Sequence, residues 1–245
     1  MQATLEGKPI DEVAIELIQA VATSEPLYAT TSGGKDSTVE VDLVRRSGVP
    51  YELHYHNTGL DAPETIRFIR NHYPECIFDR PVHTFWQGVL SNGLPMRQQR
   101  WCCGELKECF GRGHLIVDGV RRGESQGRKA RNCFEEARND PTTHFLHPLF
   151  HWTTAEVWEY IDEHHLPHNP LYYTDGKRVI RRRIGCILCP MTSSLETKRQ
   201  MALYPGFVKL YKDYAQRYVE VRIERGTPLT QRTGEELFDW WIARK

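Results

Sequence analysis

The residues with the clearest chemistry lie in one short segment, residues 32–37, which reads Ser-Gly-Gly-Lys-Asp-Ser. Its two glycines permit backbone conformations closed to other residues, so backbone N–H groups can point at an anion. Lys35 supplies a compact positive charge for phosphate oxygens, and Asp36 can hold Mg²⁺ beside them. The segment is not a Walker A loop, because Ala29 and Asp36 stand where that pattern needs glycine and serine or threonine. It therefore predicts a nucleotide phosphate loop, against the alternative of a plain glycine turn with a solvated lysine.

Four of the seven cysteines come in two pairs: Cys102 and Cys103 are adjacent, and Cys186 and Cys189 form a Cys-x-x-Cys. Four thiolates in two pairs can bind zinc or a 4Fe–4S cluster. Structural zinc sites usually take ligands spaced by two to four residues, whereas each iron corner of a cubane takes a separate thiolate. The adjacency favours the cluster; the alternative is a pair of buried structural thiols. Structural thiols are also predicted at the three lone positions, Cys76, Cys109 and Cys133.

Basic residues crowd two stretches of the chain, although its formal net charge is zero. In the first stretch, Arg121, Arg122 and Arg128 follow a predicted strand end and are candidates for binding phosphate or an acceptor. The alternative is that these are surface arginines without a role. The second stretch comprises Lys177, Arg178, Arg181, Arg182 and Arg183. Such clusters serve polyanions, nucleotide phosphates or solubility, so alone they decide nothing.

The bulk properties indicate a globular chain. With 245 residues, 40% hydrophobic and 26% charged, it fits one large domain or a domain with a small appendage. No apolar run approaches the roughly 20 residues that a membrane span needs. The first six residues show no secretion signal, and cysteines without such a signal do not suggest a disulfide framework. We therefore expect a cytoplasmic protein without disulfides.

A phosphate loop needs a strand before it and a helix after it, and the sequence predicts both. An apolar run predicts a strand over 26–31, and helical spacing of apolar residues predicts a helix over 37–46. A strand over 51–56 and a helix over 62–72 follow, separated by a turn that contains Gly59. This alternation predicts an α/β fold, with a parallel sheet covered by helices on both faces. Ligands of such sheets bind at the carboxyl ends of the strands, where the glycine-bearing turns fall.

The second half of the chain is less regular. Helix and irregular structure mix over 83–113, and an apolar run over 114–120 predicts a buried strand. Thr153 and Glu156 form a capping box at the start of a helix over 153–165.

Helical patterns also cover 205–225 and a short segment that ends at Trp240 and Trp241. These two patterns lie beyond all the motifs that carry chemistry. The sequence therefore predicts a nucleotide-binding domain over 1–195, which carries the cysteine site, and a small helical C-terminal extension over 196–245.

Motifs in one order along the chain resemble the phosphoadenylyl-sulfate (PAPS) reductase family over about residues 25 to 195. The matching segments are residues 32–37, 57–65, 100–107, 119–125, 147–152 with Val157 and Trp158, and 169–172 before 185–189. This resemblance implies an adenine-nucleotide α-hydrolase-like parallel sheet. It also implies a 4Fe–4S cluster on Cys102, Cys103, Cys186 and Cys189. The loop itself resembles the pyrophosphate loop (PP-loop) of N-type ATP pyrophosphatases, which split ATP between its α and β phosphates.

Two departures from the reductases favour ATP cleavage. Reductases of this family have largely lost the lysine and aspartate of the loop, whereas Lys35 and Asp36 are present here. They also carry a nucleophilic cysteine in a C-terminal tail, and no cysteine follows Cys189 in this sequence. The resemblance therefore implies an ATP pyrophosphatase that adenylylates an acceptor for sulfur insertion. Members that place sulfur in the DNA backbone (phosphorothioation) match best.

For this reaction the expected catalytic residues are Lys35, Asp36 and Arg121. The expected cofactor-binding residues are Ser32, Gly33, Gly34, Lys35, Asp36, Ser37, Gly59, Arg122 and Arg128. The expected cofactors are ATP, Mg²⁺ and the 4Fe–4S cluster. The expected partners are a cysteine desulfurase or another sulfur donor, DNA, and a second copy of the chain in a homo-oligomer, with no membrane.

Three other functions stay open. A thiol-dependent PAPS or adenylyl-sulfate reductase would release sulfite from its nucleotide. A tRNA thiolation enzyme would place sulfur in tRNA rather than DNA. A non-catalytic nucleotide- and cluster-binding subunit would bind ATP without releasing pyrophosphate. Both a sulfur-carrying and a structural role of the cluster also stay open.

Overall fold

The computed structural model describes residues 7–180 and 182–243, and the chain forms two compact units. The first unit contains Met1–His56, Ala62–Asp79 and Phe110–Gly185. The second unit contains Asn57–Asp61, Arg80–Cys109 and Cys186–Lys245. The predicted division into 1–195 and 196–245 stays a prediction. The first six residues and Arg181 of the second basic stretch lie outside the described residues.

The described chain alternates between strands and helices in its first half. The strands are β1 (Leu27–Thr30), β2 (Tyr51–His56), β3 (Ile77–Asp79), β4 (Leu115–Val117), β5 (Phe134–Ala137), β6 (Asp140–Leu146), β7 (Tyr173–Thr174) and β8 (Lys177–Arg178). The helices are α1 (Ile10–Val21), α2 (Lys35–Ser47), α3 (Pro63–His72), α4 (Phe85–Asn92), α5 (Trp101–Leu106), α6 (Gln126–Lys129), α7 (Thr154–Glu163), α8 (Ser194–Leu203), α9 (Pro205–Glu224) and α10 (Gly234–Ala243).

The first unit holds a six-stranded sheet in the order β3-β2-β1-β4-β6-β5. All neighbouring strands are parallel except the edge pair β5 and β6. The predicted α/β fold with a mainly parallel sheet is confirmed. Strand β5 is antiparallel because only Arg138 and Asn139 connect it to β6, and a parallel connection needs a much longer crossover.

The core of the first unit explains why the local patterns fold as predicted. Ala29, Leu53 and Leu146 are almost fully buried, and they pack with Leu43 of α2 and Trp158 of α7 in one apolar cluster. Strand β2 has the predicted bounds, and α2 begins two residues before the predicted start. The main departure near this core is the hairpin of β5 and β6, where no strand was predicted.

Capping and glycine signals set the helix ends. The predicted capping box is present, because the Thr153 side chain accepts from the Glu156 N–H and Glu156 accepts from the Thr153 N–H. Helix α2 ends at Gly48, whose φ of 70° is the left-handed conformation typical of helix ends.

The second unit is mainly helical. Buried aromatic side chains form its core: Tyr211 stacks on Trp241 with ring centroids 5.1 Å apart, and Phe238 packs beside them. The Trp241 indole donates to the Pro95 carbonyl at 2.7 Å. The C-terminal helices are confirmed, whereas α8 was not predicted, because its apolar residues have little helical spacing. No helix in residues 7–180 and 182–243 is long and apolar enough to cross a membrane.

The approach of α10 to α9 depends on a buried glycine. A Cβ at Gly234 would lie 2.4 Å from the Gln216 backbone N and 2.5 Å from the Lys212 O, so the two helices would have to separate. We expect Gly234→Ala to lower the free energy of unfolding by about 1–3 kcal/mol, measured by urea denaturation. Gly206→Ala, in the first turn of α9 with open space around it, is the control and should leave stability unchanged. Equal losses in both variants would contradict the close contact.

Candidate functional site

The phosphate loop, residues 32–37, joins β1 to α2 in the first unit. Gly33 has a φ of 65°, and a Cβ there would lie 2.9 Å from Thr65 Cγ2, so only glycine fits. Gly34 has ordinary backbone angles, but a Cβ there would lie 3.3 Å from Ser32 Oγ and 3.4 Å from Tyr172 Oη. A side chain at Gly34 would therefore crowd these two hydroxyl groups, which flank the loop at this point.

The loop presents backbone N–H groups at the start of a long helix. Hydroxyl groups accept three of them: Ser37 Oγ from Ser32 at 3.1 Å, Thr31 Oγ1 from Gly33 at 3.2 Å, and Tyr172 Oη from Lys35 at 2.8 Å. The next N–H groups, in the first turn of α2, have no acceptor within a helix. Together with the helix dipole they favour a bound anion.

Asn169 holds the loop in shape from a distant part of the chain. Its Nδ2 donates to the Gly33 carbonyl at 3.1 Å and to Thr65 Oγ1 at 3.0 Å, and its side chain is almost fully buried. Asn169 and Tyr172 belong to the Asn-Pro-Leu-Tyr segment of residues 169–172, which was a motif without a role. That motif was the only sequence signal for either contact.

Replacing Asn169 should loosen the loop. Asn169→Ala leaves the buried Gly33 carbonyl without this donor, so we expect unfolding to become easier by about 2 kcal/mol. We also expect weaker binding of ATP, the ligand that the sequence predicts for this loop, because the loop loses its brace. Urea denaturation and calorimetric titration with ATP measure the two effects, and Asn139→Ala in the exposed β5–β6 turn is the control. Unchanged ATP affinity in Asn169→Ala would contradict the bracing role.

Three charged side chains meet beside the loop. The Asp36 carboxylate contacts Lys35 Nζ at 2.5 Å with one oxygen and Arg121 Nε at 2.6 Å with the other. Arg121 also donates to the Trp152 carbonyl at 3.1 Å and to Thr154 Oγ1 at 3.3 Å. The structure therefore brings together all three residues that were expected to be catalytic.

Burial dominates the electrostatics of Lys35, which is only 5% exposed. Burial lowers the pKa of Lys35 below its ordinary value of 10.5, while the Asp36 carboxylate opposes this shift. Arg121 and Arg183 lower the pKa of Lys35 further. The loop thus carries a buried cation that is only partly compensated, which is a setting in which a bound anion is favourable. As a carboxylate in this loop, Asp36 also fits a ligand of Mg²⁺.

The other predicted arginines lie outside the loop. Arg122 is exposed and lines a cavity of about 530 Å³ together with Arg121, Lys129 and His151. Arg128 forms an ion pair with Glu124, and burial and Arg183 lower its pKa. Gly59 belongs to the second unit, where its φ of 73° makes the turn after β2.

Asp118 and His147 form a polar pair that the sequence did not reveal. They directly follow the adjacent strands β4 and β6, and His147 Nδ1 lies 2.6 Å from Asp118 Oδ1. The next residue, Gly119, packs on the start of α2: a Cβ there would lie 2.9 Å from the Asp36 carbonyl carbon. The family motif of residues 147–152 marked His147 without naming its partner, and strand-end position was the signal available for Asp118.

All four paired cysteines belong to the second unit, and all are free thiols. A hydrogen bond from Cys102 is the largest cause that lowers the pKa of Cys103, to about 6, and Arg100 and Lys107 also lower it. Burial raises the pKa of Cys186 to about 12. The second unit therefore contains four thiols, two on α5 and two in the Cys-x-x-Cys segment.

The groups around these thiols show that the two pairs lie near one another. A thiolate at Cys186 is the main cause that raises the pKa of Lys107, and Cys103 and Cys189 add to it. Burial raises the pKa of Tyr211, as do charges at Cys186, Cys102 and Cys189. In residues 7–180 and 182–243, no three or more His, Cys, Asp or Glu side chains are arranged to hold a single metal ion. By their chemistry, four thiols beside an ammonium group fit an anionic 4Fe–4S cluster.

Backbone contacts hold the Cys-x-x-Cys segment within its unit. The Ile187 N–H donates to the Leu60 carbonyl at 2.8 Å, and Thr58 Oγ1 lies 3.6 Å from Cys186 Sγ. Leu188 has a φ of 57°, and its N–H donates to Gln200 Oε1 at 2.8 Å. Helix α8 thus supplies Gln200 to the turn between the two cysteines, which gives that unpredicted helix a role.

Comparison with known proteins shows which family the chain resembles. The phosphoadenosine phosphosulfate reductase domain family matches residues 26–192. Two uncharacterized proteins of Methanocaldococcus jannaschii are 27% and 28% identical, each over 80% of this chain. The chain covers 42% and 49% of these relatives, which is about half their length.

Similarity also extends to named enzymes and to a solved structure. An adenosine 5'-phosphosulfate reductase of Staphylococcus haemolyticus is 28% identical over 67% of this chain and 70% of its own length. A phosphoadenylyl-sulfate reductase from Candida auris, solved with phosphate, superposes with a TM-score of 0.52 at 21% identity. That alignment covers 76% of this chain and 97% of the other, so the two share a fold.

Proposed function

Because the chain belongs to the phosphoadenosine phosphosulfate reductase domain family, we propose that it uses this nucleotide-binding fold to split ATP between the α and β phosphates. One observation carries the proposal. The loop holds a buried ammonium group, Lys35, and the carboxylate of Asp36, and both converge with Arg121 at the start of α2. A pyrophosphate group needs such positive charge, and the carboxylate offers a place for its metal ion.

Each residue of the loop has a part in binding. The N–H groups at the start of α2 and the Lys35 ammonium bind the β and γ phosphates. Asp36 would hold Mg²⁺, which when bound neutralises phosphate charge. Arg121 is fixed by the Trp152 carbonyl and Thr154, so its guanidinium keeps one orientation beside the reacting phosphates.

The reaction follows from this arrangement. An oxygen of the acceptor attacks the α-phosphorus, a bond forms between them, and the bond from the α-phosphorus to the bridging oxygen breaks. Pyrophosphate leaves with the electron pair, and the buried cations stabilise its charge. A sulfur nucleophile then attacks the adenylylated atom of the acceptor, the bond to the activated oxygen breaks, and AMP leaves.

The acceptor in this proposal is the DNA backbone, with a cysteine desulfurase or another donor supplying sulfur. A 4Fe–4S cluster would be held by Cys102, Cys103, Cys186 and Cys189. When bound, it would either carry the transferred sulfur or stabilise the structure. The exposed Arg122 and Lys129 at the cavity beside Arg121 support a polyanionic acceptor. We place the reaction in the cytoplasm, where ATP and a desulfurase are available.

A second candidate is reduction of a sulfonucleotide. The adenosine 5'-phosphosulfate reductase of S. haemolyticus that resembles this chain favours it. In that reaction a thiol sulfur attacks the sulfonyl sulfur and AMP leaves; a second thiol then attacks the first sulfur, a disulfide forms and sulfite leaves, and no pyrophosphate is formed. Release of sulfite from adenylyl sulfate or PAPS, with a thiol donor, would identify this activity.

Product analysis tests the proposal. Anaerobically purified protein is incubated with ATP, Mg²⁺ and a sulfur donor, in parallel with duplex DNA, tRNA or no acceptor, and nucleotides are separated by anion-exchange chromatography. We expect AMP and pyrophosphate, with the highest yield in the DNA arm. Sulfur appearing in tRNA would identify tRNA thiolation, and ADP with orthophosphate would contradict cleavage between the α and β phosphates. Bound ATP without any product in every arm would indicate a non-catalytic subunit.

A further inference from the structure

Tyr172 is a buried tyrosine whose hydroxyl reaches the phosphate loop. It lies 137 residues after Lys35 in sequence, yet its Oη accepts the Lys35 N–H at 2.8 Å. Its side chain is 2% exposed, and its ring packs edge-on against Trp158 at 5.0 Å. The hydroxyl is therefore fixed in place beside the loop.

The hydrogen of this hydroxyl has no acceptor among the described residues. A tyrosine hydroxyl donates one hydrogen bond and accepts others, and here only the accepting side is used. A buried donor without an acceptor is costly, so a bound water molecule or a ligand is expected to accept from it. Burial raises the pKa of Tyr172, so the group keeps its proton and stays a donor at neutral pH.

The position beside Gly34 shows where that partner would lie. A Cβ on Gly34 would fall 3.4 Å from Tyr172 Oη and 3.3 Å from Ser32 Oγ, so a side chain there would fill the space between the two hydroxyls. Ser37 Oγ lies 3.3 Å from Ser32 Oγ, and the backbone N–H of Lys35 lies at the same edge. The Tyr172 and Ser32 hydroxyls therefore flank this position, and the Tyr172 hydroxyl has a hydrogen left to donate there, whereas the Lys35 N–H and the Ser37 hydroxyl are already engaged.

We propose that the Tyr172 hydroxyl donates a hydrogen bond to an oxygen of the pyrophosphate part of ATP, which makes Tyr172 a substrate-binding residue. This inference rests on the proposed function, because it takes the anion in the loop to be the β and γ phosphates. The ligand class is a diphosphate or triphosphate anion, and the contact also explains the tyrosine of the 169–172 motif.

Equilibrium binding of inorganic pyrophosphate to the full chain tests this contact. Tyr172→Phe removes only the hydroxyl, and we expect calorimetry with Mg²⁺ present to show binding about tenfold weaker or more, as for a hydrogen bond to a charged group. Tyr173→Phe is the matched control, because that neighbouring hydroxyl contacts His168 at 2.8 Å instead of the loop. It should bind pyrophosphate like the wild type.

Thermal melting separates binding from folding. If Tyr172→Phe does not fold, Gly34→Ala decides, because its Cβ crowds the Tyr172 hydroxyl without backbone strain and should also weaken pyrophosphate binding. Wild-type affinity in a folded Tyr172→Phe, or in Gly34→Ala when Tyr172→Phe does not fold, would overturn the inference. So would equal weakening in Tyr173→Phe, or no pyrophosphate binding by the wild type.

The inference and the proposed function fail in different ways. Pyrophosphate binding that depends on Tyr172, in a protein that releases no AMP from ATP, would keep the contact and contradict ATP cleavage. Conversely, AMP release by a Tyr172→Phe variant whose pyrophosphate affinity equals that of the wild type would support ATP cleavage and contradict the Tyr172 contact.

Discussion

Lys35→Met should lower the rate of AMP formation from ATP about 10²–10³-fold while leaving the fold intact, because one positioned group that stabilises developing charge contributes about that much. The lost ammonium group is a buried charge of the loop itself. Stability should stay equal or increase, since burial, the largest influence on the Lys35 pKa, disfavours the charged form. Asp36 keeps Arg121 as a partner at 2.6 Å, so no carboxylate is left unpaired. A coupled assay for pyrophosphate and urea denaturation measure the two effects.

The pH dependence gives this prediction a second readout. The folded pKa of Lys35 lies below its unfolded value, so between the two the unfolded chain holds a proton that the folded chain has released. Stability therefore rises with pH through that window, and Lys35→Met should lack this increment. The rate of AMP formation should fall over the same window, because the neutral amine no longer attracts phosphate. Lys212→Met in the second unit is the control, and a large loss of rate there would contradict a specific role for Lys35.

Serine at any of the four paired cysteines should remove most of the bound iron. Anaerobically purified wild-type protein should contain about four iron atoms and four labile sulfides per chain, because a cubane takes one thiolate at each iron. The iron and labile sulfide content should approach zero in each single variant: Cys102→Ser, Cys103→Ser, Cys186→Ser and Cys189→Ser. Metal analysis and the visible absorption spectrum measure the loss without any assay of activity.

Lone cysteines provide the matched controls for that series. Cys76 and Cys133 belong to the first unit. The variants Cys76→Ser and Cys133→Ser should therefore retain iron at the wild-type level. One zinc ion per chain instead of iron would establish a zinc site. Full iron content in Cys186→Ser would contradict the assignment of that thiol.

The phosphate loop could be predicted from the sequence because its structure depends on residues close together in the chain. The strand, the glycine turn and the helix that follow one another over residues 26–47 all depend on neighbours in the chain. Gly33 illustrates this, because its positive φ belongs to the turn itself. The capping box at Thr153 and Glu156 was readable for the same reason, since its two partners are three residues apart.

Contacts between distant segments were not readable in the same way. Arg121 meets Asp36 across 85 residues and Tyr172 meets Lys35 across 137, so only the folded sheet brings them together. The family motif marked Tyr172 and Asn169 without saying what they touch. Asp118 and His147 belong to the same class, since their contact arises from the pairing of β4 with β6.

Strand β5 and helix α8 were missed because their patterns are weak. Strand β5 alternates between exposed and half-buried residues at the edge of the sheet, so it lacks the apolar run that marked β1. Helix α8 has only Thr197 and Gln200 buried, both polar, so no apolar stripe reveals it. The 4Fe–4S cluster stays a prediction. The four thiols in one unit can supply its ligands, and metal analysis identifies the metal.

Exchange of radiolabelled pyrophosphate into ATP tests most directly whether the loop binds ATP and supports cleavage between its α and β phosphates. With Mg²⁺ and a competent acceptor, adenylylation is reversible, so label should enter ATP in wild-type protein and be lost in Lys35→Met. No exchange and no AMP under any acceptor condition, together with sulfite release from a sulfonucleotide, would contradict ATP cleavage at this loop.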